Sequence, residues 1–486
     1  MAINRLFFAL ACFIFTACDL QMQEDSFTAI NREVHKNSEA YKTLKRASET
    51  IGHRLTGSEN GQKAETFVYN LFQSYGFEDV SYQPFNMIAW SRGEVSLKVG
   101  LADRGPAQEL KVVSLAHTPE SSEVTAPLAD LGSGLDRDYL RKPGKAKGKI
   151  VLVYLGLLPD TPEGEQNLHR SEKTALAIKY GAKGIIFINQ VDGGVLLTGT
   201  ASVTGELIDI PAVCIGKEDG LALRLKMDKQ PHRAHIKMSN FSKEIQARNI
   251  IARLPGSELP EEKIIIGGHL DSWDLASGAI DNGIGSFAVI DMARTFKALD
   301  LKPKRTMEFV LFMGEEQGLF GSTHMVRSMK EAQELDNVKY MVNVDMAGNP
   351  IGFNAGARSE AEAFFSNVGE RIKEIDSTFA NRSSNRVGLH SDHQPFLLEG
   401  IPTMSLSSNL DRSIYRCYHS DCDNFDLVNS EHIKNTVRFT SMVLYELANT
   451  SSLPAERLSS DRNKDFLIAN NLKEKLVIGG DWRWGE

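Results

Sequence analysis

Residues 263–286 read KIIIGGHLDSWDLASGAIDNGIGS. Residues 263–267 form a short apolar, β-branched run, which predicts a buried strand. The strand runs into Gly268-His269-Leu270-Asp271. A glycine-rich turn holding Asp281 follows, and a helical pattern spans residues 284–298. Two further strands are predicted at 307–313 and 338–345, and further helices at 360–375 and 431–447. Such alternation argues for an α/β sheet covered by helices. Ligands in these sheets gather beyond the carboxyl ends of the strands.

That rule gathers chemistry at one edge. The second strand leads into Gly314-Glu315-Glu316 and the third ends at Asp345. A lone His or Glu at a strand end is more often a satisfied polar residue than a ligand. Three such ends in chain order, with Asp281 in its glycine-rich turn, point to a metal site. Mixed imidazole and carboxylate donors suit zinc or a similar ion and leave room for water. No His-Glu-x-x-His motif occurs, so a single-zinc site of that design is excluded, and the loss of thiolate ligands argues against a purely structural zinc site. Adjacent Glu315 and Glu316 can divide two tasks, one holding metal and the other taking a proton, because neighbours at a strand end point in different directions.

The rest of the chain sets this region in context. Its 486 residues allow a catalytic domain plus an extra module. A hydrophobic content of 42% supplies a core, and a net charge of −8 without a dense basic patch argues against a nucleic-acid partner. Residues 26–85 read as polar-faced helices, one of them over 64–75 with Gly76 as its stop, followed by a strand at 80–85. Residues 145–240 differ in texture. Strands are predicted at 149–154, 184–188 and 211–215, with a helix over 171–180. At the start, one positive charge and an apolar run over 6–17, too short to span a bilayer, have a secretory signal layout. Thr16-Ala17-Cys18 resembles a bacterial lipobox, which makes Cys18 a lipid-anchored first residue and the polar residues after it a tether. The expected location is the bacterial cell envelope, on the periplasmic or outer-membrane face. Of the five cysteines, Cys12 and Cys18 fall in the leader. Cys214 is isolated, and Cys417 and Cys422 are close enough either to pair or to remain free thiols.

The stretches GGHLDSWDLASGAIDNGIGS, MGEEQGLFGS, NVDMAG and YHSDCD, in this order, resemble the di-zinc aminopeptidase family. Within it the likeness is to the branch of plasma glutamate carboxypeptidase (carboxypeptidase Q) and covers residues 45–450. AIKYGAKGIIFIN and IPAVCIG look like an inserted protease-associated domain. The resemblance implies a three-layer α/β sandwich with a mixed sheet plus a smaller α/β insert. It divides the chain into a signal peptide (1–17), a tether (18–25), peptidase segments (26–115 and 246–450), the insert (116–245) and a tail (451–486). It also implies two zinc ions per chain. His269 and Asp345 would hold one, Glu316 and His419 the other, and Asp281 would bridge them. Glu315 would be the general base, Asp271 would fix the tautomer of His269, and Tyr418 would donate to the oxyanion. Asp423 would support His419, and Asp392 would face the substrate terminus.

Asn282 departs from close relatives, which often carry a second Asp there. His390 and His393 are read as a loop near the substrate rather than a third metal site. The implied activity is exopeptidase cleavage of short peptides or dipeptides. Two other readings stay open, a non-catalytic binding ectodomain of the same fold and a single-zinc glutaminyl cyclase. Oligomeric state is open between monomer and homodimer.

Overall fold

The computed structural model describes residues 25–485, so the signal peptide, Cys18 and nearly all of the tether lie outside the described residues. Two sheets organise the rest. The first has seven strands in the order Val80–Ser91, Phe241–Leu254, Arg305–Phe312, Leu259–His269, Val338–Asn343, Thr403–Asn409 and Asn349–Asn354. Its four inner strands, from Arg305–Phe312 to Thr403–Asn409, run parallel, and the outer pairs are antiparallel.

Alternation along the strands explains the layering. Ile264 and Ile266 face one side with Phe309, Leu311 and Val342, against Phe287 and Ile290 of the helix Ile284–Ala298 and Val443 of Ser430–Asn449. Ile265, Val310 and Phe312 face the other, against Met325 of Phe320–Glu331 and Phe396 of His393–Leu398. Successive residues of a strand point to opposite faces. A strand apolar at every position is therefore covered on both sides, which produces the sandwich.

The second sheet has eight strands, with Ser121–Asp130, Ile150–Tyr154, Gly184–Ile188 and Ala212–Ile215 parallel at its centre. The helix Arg170–Lys179 packs Leu176 on one face, and Lys217–Met227 packs Leu223 on the other. This sheet begins at Val95, earlier than the boundary at residue 116 read from the sequence. Val95–Leu101 pairs antiparallel with His232–Ser239, a partnership between segments remote in sequence that no local pattern announces. The chain enters and leaves this domain through neighbouring strands, since Val80–Ser91 pairs with Phe241–Leu254 along its whole length, from Val80 opposite Ala252 to Ser91 opposite Phe241.

Cys417 and Cys422 form a disulfide, and Cys214 is a buried free thiol. The tail packs back on the body. Its helices Ser460–Ala469 and Lys473–Gly479 bury Leu467, Leu472 and Leu476 against Leu397, and Arg483 pairs with Glu399 at 2.6 Å. Among the described residues no helix is long and apolar enough to cross a membrane.

Leu467→Ala should cost about 2–5 kcal/mol of local stability, as for other buried leucines. Limited trypsin digestion should then cut at Lys473 and Lys475 while the sandwich stays intact. Unchanged protection of the tail would show that this leucine does not hold it.

Candidate active site

The inner strands of the first sheet present their carboxyl ends at one edge. His269 ends Leu259–His269 and lies opposite Phe312, just ahead of Glu315 and Glu316. Asp345 follows Val338–Asn343. Asp281 sits in the tight turn Ala279–Gly283 that opens the next helix. His419 comes from the loop after Thr403–Asn409, in a left-handed backbone conformation beside the Cys417–Cys422 bridge.

These residues converge. Asp281 reaches the two imidazoles with its two oxygens, Oδ1 lying 3.2 Å from His269 Nε2 and Oδ2 2.9 Å from His419 Nε2. Asp345 Oδ1 is 3.5 Å from His269 Nε2, and Glu316 Oε2 is 3.0 Å from His419 Nε2. Ligand atoms of His269, Asp281 and Glu316 all fall within 4.8 Å of one another, and so do those of His269, Glu315 and Asp345. Asp281 thus stands between two donor groups, the place expected of a bridging ligand. Glu315 faces the cleft with partial exposure, while Glu316 is buried.

The charge balance tests whether metal fits. Four carboxylates surround two imidazoles. Burial alone would lower His269, but Glu315, Asp281 and Asp345 outweigh it and hold it well above its ordinary range. His419 is raised by Glu316 and Asp281 against the same burial. Burial would raise Asp281, but the two imidazoles hold it below the usual carboxylate range. Burial, together with Glu316, Asp392 and Asp345, pushes Glu315 well up. Glu316 Oε1 and Asp345 Oδ1 are buried without hydrogen-bond partners. An acid-rich pocket with orphaned carboxylate oxygens fits divalent cations.

Surrounding residues hold the donors in place, some in roles other than those expected. Asp423 supports Asp281 rather than His419, accepting from the backbone N–H groups of Ile280 (2.7 Å) and Asp281 (3.0 Å). Asp271 does not bind the His269 ring through its carboxylate, which is 3.8 Å from Nδ1. The backbone carbonyl of Asp271 lies 3.0 Å from that nitrogen. The Asp271 carboxylate instead accepts from the Thr56 hydroxyl (3.0 Å) and the Glu315 N–H (3.3 Å), and Thr56 accepts from Gly314 N–H (2.8 Å). Asp271 therefore fixes the loop that carries the glutamates.

Asn282 uses what an Asp lacks. Its amide donates to the Val344 carbonyl at 2.9 Å, while its oxygen accepts from Met346 N–H at 3.0 Å, which ties the turn to the strand end before Asp345. Ser391 donates to Asp345 at 2.7 Å. Asp392 does not face open solvent. It is fully buried, neither oxygen has a hydrogen-bond partner, and burial pushes it up to about 7. His390 lies 3.3 Å from Glu172, and His393 Nε2 lies 3.0 Å from the Gly388 carbonyl. Neither joins the metal-type clusters.

Three contributors were missed by sequence reasoning. Arg54, fully buried, donates to the carbonyls of Leu270 (2.6 Å), Ser277 (2.7 Å) and Gly278 (2.8 Å). It grips both ends of the loop between His269 and Asp281. Thr198, in the inserted domain, donates its N–H to the His419 carbonyl at 2.9 Å, and its own carbonyl lies 3.3 Å from His419 Nδ1. The tail is the third, since Lys475, Leu476 and Asp481 line the cleft above the site. That cleft encloses about 920 Å³ and is walled by the peptidase sandwich, the inserted domain and the tail. Tyr418 lines it too, stacked on His419 with ring centroids 3.8 Å apart.

Known proteins share this architecture. Residues 249–444 match the model of peptidase family M28, and residues 124–223 match that of the PA domain. Carboxypeptidase Q of Xenopus laevis is 26% identical over 431 residues, covering 87% of this chain and 89% of its own. Aminopeptidase YwaD of Bacillus subtilis is 26% identical over 430 residues, covering 86% of each. A peptidase M28 precursor from Shewanella amazonensis, known from its crystal structure, is 23% identical and matches the fold with a TM-score of 0.76 over 89% of this chain and 98% of its own. The chain thus has one segment that matches the M28 peptidase model and, ahead of it, one that matches the PA domain model, the combination the sequence resemblance implied.

Arg54→Met removes three hydrogen bonds from a charged donor and strands their carbonyl acceptors. It should cost about 3–5 kcal/mol, as breaking other buried charge contacts does. Thermal unfolding should register the loss, and equilibrium dialysis should find weaker divalent-metal binding. Wild-type values for both would show that the loop holds its shape without this residue.

Proposed function

We propose that this chain, built on an M28 peptidase domain, is a metallo-exopeptidase that removes terminal residues from short peptides or dipeptides with two zinc ions. The observation that carries this reading is the Asp281 carboxylate lying between His269 and His419, with Asp345 and Glu316 completing two donor groups. His269 and Asp345 would hold one ion, Glu316 and His419 the other, with Asp281 shared. Two such ions would supply Lewis acidity at the scissile carbonyl and would lower the pKa of a bound water toward ~7.

The chain's own groups do the rest. Glu315 reaches into the cleft without being needed as a ligand, so its carboxylate takes the proton of the attacking water. It then returns that proton to the leaving amine. Asp271 and Thr56 hold the Glu315 loop so that the carboxylate keeps its aim. Tyr418, on the cleft wall, donates its hydroxyl proton in a hydrogen bond to the oxygen that gains charge as the carbonyl becomes tetrahedral. Retention of five donors and a base argues against a non-catalytic ectodomain. Two donor groups sharing one bridging carboxylate argue against a single-zinc cyclase. The lipobox at Cys18 supports export and attachment to the cell envelope by a lipid anchor, which would place the site among peptides outside the cytoplasm.

Glu315→Gln should lower kcat on dipeptides and amino-acyl chromogenic amides by about 10²–10⁴-fold, with the metal content of the protein unchanged by elemental analysis. Chelation should abolish wild-type cleavage, and added zinc should restore it. A zinc-loaded wild type that cleaves no peptide or amide would overturn the proposal.

A further inference from the structure

Residues 451–486 lie beyond the segment that matches the M28 model, and the mechanism above makes no use of them. They nonetheless join the other two walls of the cleft. On the peptidase side, the helices Ser460–Ala469 and Lys473–Gly479 bury Leu467, Leu472 and Leu476 against Leu397. Trp482 and Trp484 pack on the same cluster, and Trp484 Nε1 donates to Ser460 Oγ at 2.9 Å. On the other side, Lys473–Gly479 lies against the helix Arg170–Lys179 of the inserted domain. Ile478 packs on the core cluster of that domain, which includes Leu176. One short helix therefore reaches from one domain to the other.

The crossing is a built contact. A chain end frays unless burial ties it down, and three leucines of the tail are almost fully buried. The tail then turns into the cleft, where Lys475, Leu476 and Asp481 line it. Asp481 Oδ2 accepts from Gln394 Nε2 at 2.9 Å, and Gln394 Oε1 accepts from the His390 N–H at 2.8 Å. The next residue, Ser391, donates to Asp345. The tail is thus tied to the segment that supports a proposed metal ligand. With this third wall in place the cleft encloses about 920 Å³, near the top of the range for sites that take small molecules.

We infer that the C-terminal tail is a specificity-determining wall, which closes the gap between the two domains and so admits short peptides while excluding the ends of extended polypeptides. This rests on the peptidase reading of the site. A cleft between two domains is open along the gap that separates them, and a bound chain can run out through it. Each further residue of an extended chain needs about 3.3–3.6 Å of path. The helix Lys473–Gly479 stands across that path, so a long chain must displace it. Specificity can be built by such obstruction as well as by attraction. The anchors Leu467, Leu472 and Trp484 do not line the cleft, so the wall can be loosened without touching the donors.

The substrates are a leucyl chromogenic amide, Leu-Gly-Gly and an octapeptide that extends Leu-Gly-Gly with Gly and Ser, compared within each enzyme so that differences in active fraction cancel. The wild type should favour Leu-Gly-Gly over the octapeptide by about 10–200-fold in kcat/KM, the range for discrimination by pocket shape. Leu467→Ala and Trp484→Ala weaken the anchor at its buried and its outer contacts, and trypsin cutting at Lys473 and Lys475 verifies that the tail has loosened. The ratio should then fall toward one, with cleavage of the amide retained. Trp484→Ala leaves the buried leucines in place, so it tests the wall even where Leu467→Ala fails to fold. Calorimetry on the Glu315→Gln background should find Leu-Gly-Gly bound with the tail intact or loosened, and the octapeptide bound only with it loosened. A wild type that takes both peptides equally, or a loosened tail that leaves their ratio unchanged, would overturn the wall. Loss of amide cleavage in step with loosening would make the tail a support of the donors and overturn it too. A wild type that binds Leu-Gly-Gly in preference to the octapeptide yet cleaves nothing would sink the peptidase reading and leave the wall standing.

Discussion

The Asp281 carboxylate shared between His269 and His419 is the contact on which the rest of the site depends. The two histidines come from segments about 150 residues apart, and this short side chain reaches both rings. An Asp can span them only if its backbone is held, because a short side chain has little reach with which to compensate for a shift. Much of the surrounding structure does that holding. Arg54 grips three carbonyls of the preceding loop, Asp423 binds the N–H groups of Ile280 and Asp281, and Asn282 pins the turn to Val344. Each of these bonds satisfies a buried polar group that would otherwise cost free energy, so rigidity of the turn and stability of the core are the same set of interactions.

The charged ring around this turn has a clear logic. Four carboxylates crowd two imidazoles and raise both of them against the pull of burial. Divalent cations would provide that balance more directly, freeing the imidazoles to act as neutral donors. The same crowding raises Glu315, which suits a group that must accept and then return a proton. Asp392, buried with two unpartnered oxygens, adds to the negative field that Glu315 feels.

What could be read from the chain follows from how far apart the interacting residues are. His269, Asp281, Glu315, Glu316 and Asp345 were legible because each lies at or near the end of a recognisable apolar strand, and a parallel sheet sends such ends to one edge. His419 was legible only through resemblance, as its loop has no periodic signal. Arg54 was not, because nothing in its neighbourhood marks it as an internal brace; its acceptors lie more than 200 positions later. The inserted sheet was placed too late in the chain for the same reason, since Val95–Leu101 is recognisable only through its partner His232–Ser239. The role of Asp271 was misread because sequence could suggest proximity to His269 but not which of its oxygens would face the ring.

The point of insertion explains how a separate domain can be trusted with part of the site. It leaves and returns through Val80–Ser91 and Phe241–Leu254, antiparallel neighbours on the outer side of the first sheet. The parallel strands that carry the donors are therefore uninterrupted. Arg92, directly after the first of these strands, then fastens the domains together. It pairs with Asp274 at 2.9 Å, donates to Thr198 Oγ1 at 2.7 Å, and also donates to the Ser114 carbonyl. Asp274 belongs to the loop between His269 and Asp281, and Thr198 to the segment bonded to His419. One side chain thus couples the loop of the bridging carboxylate to the segment that orients the second histidine, and Gly199 of that same segment seats the Arg170 guanidinium. The inserted domain is thereby bonded to the residues that position the donors.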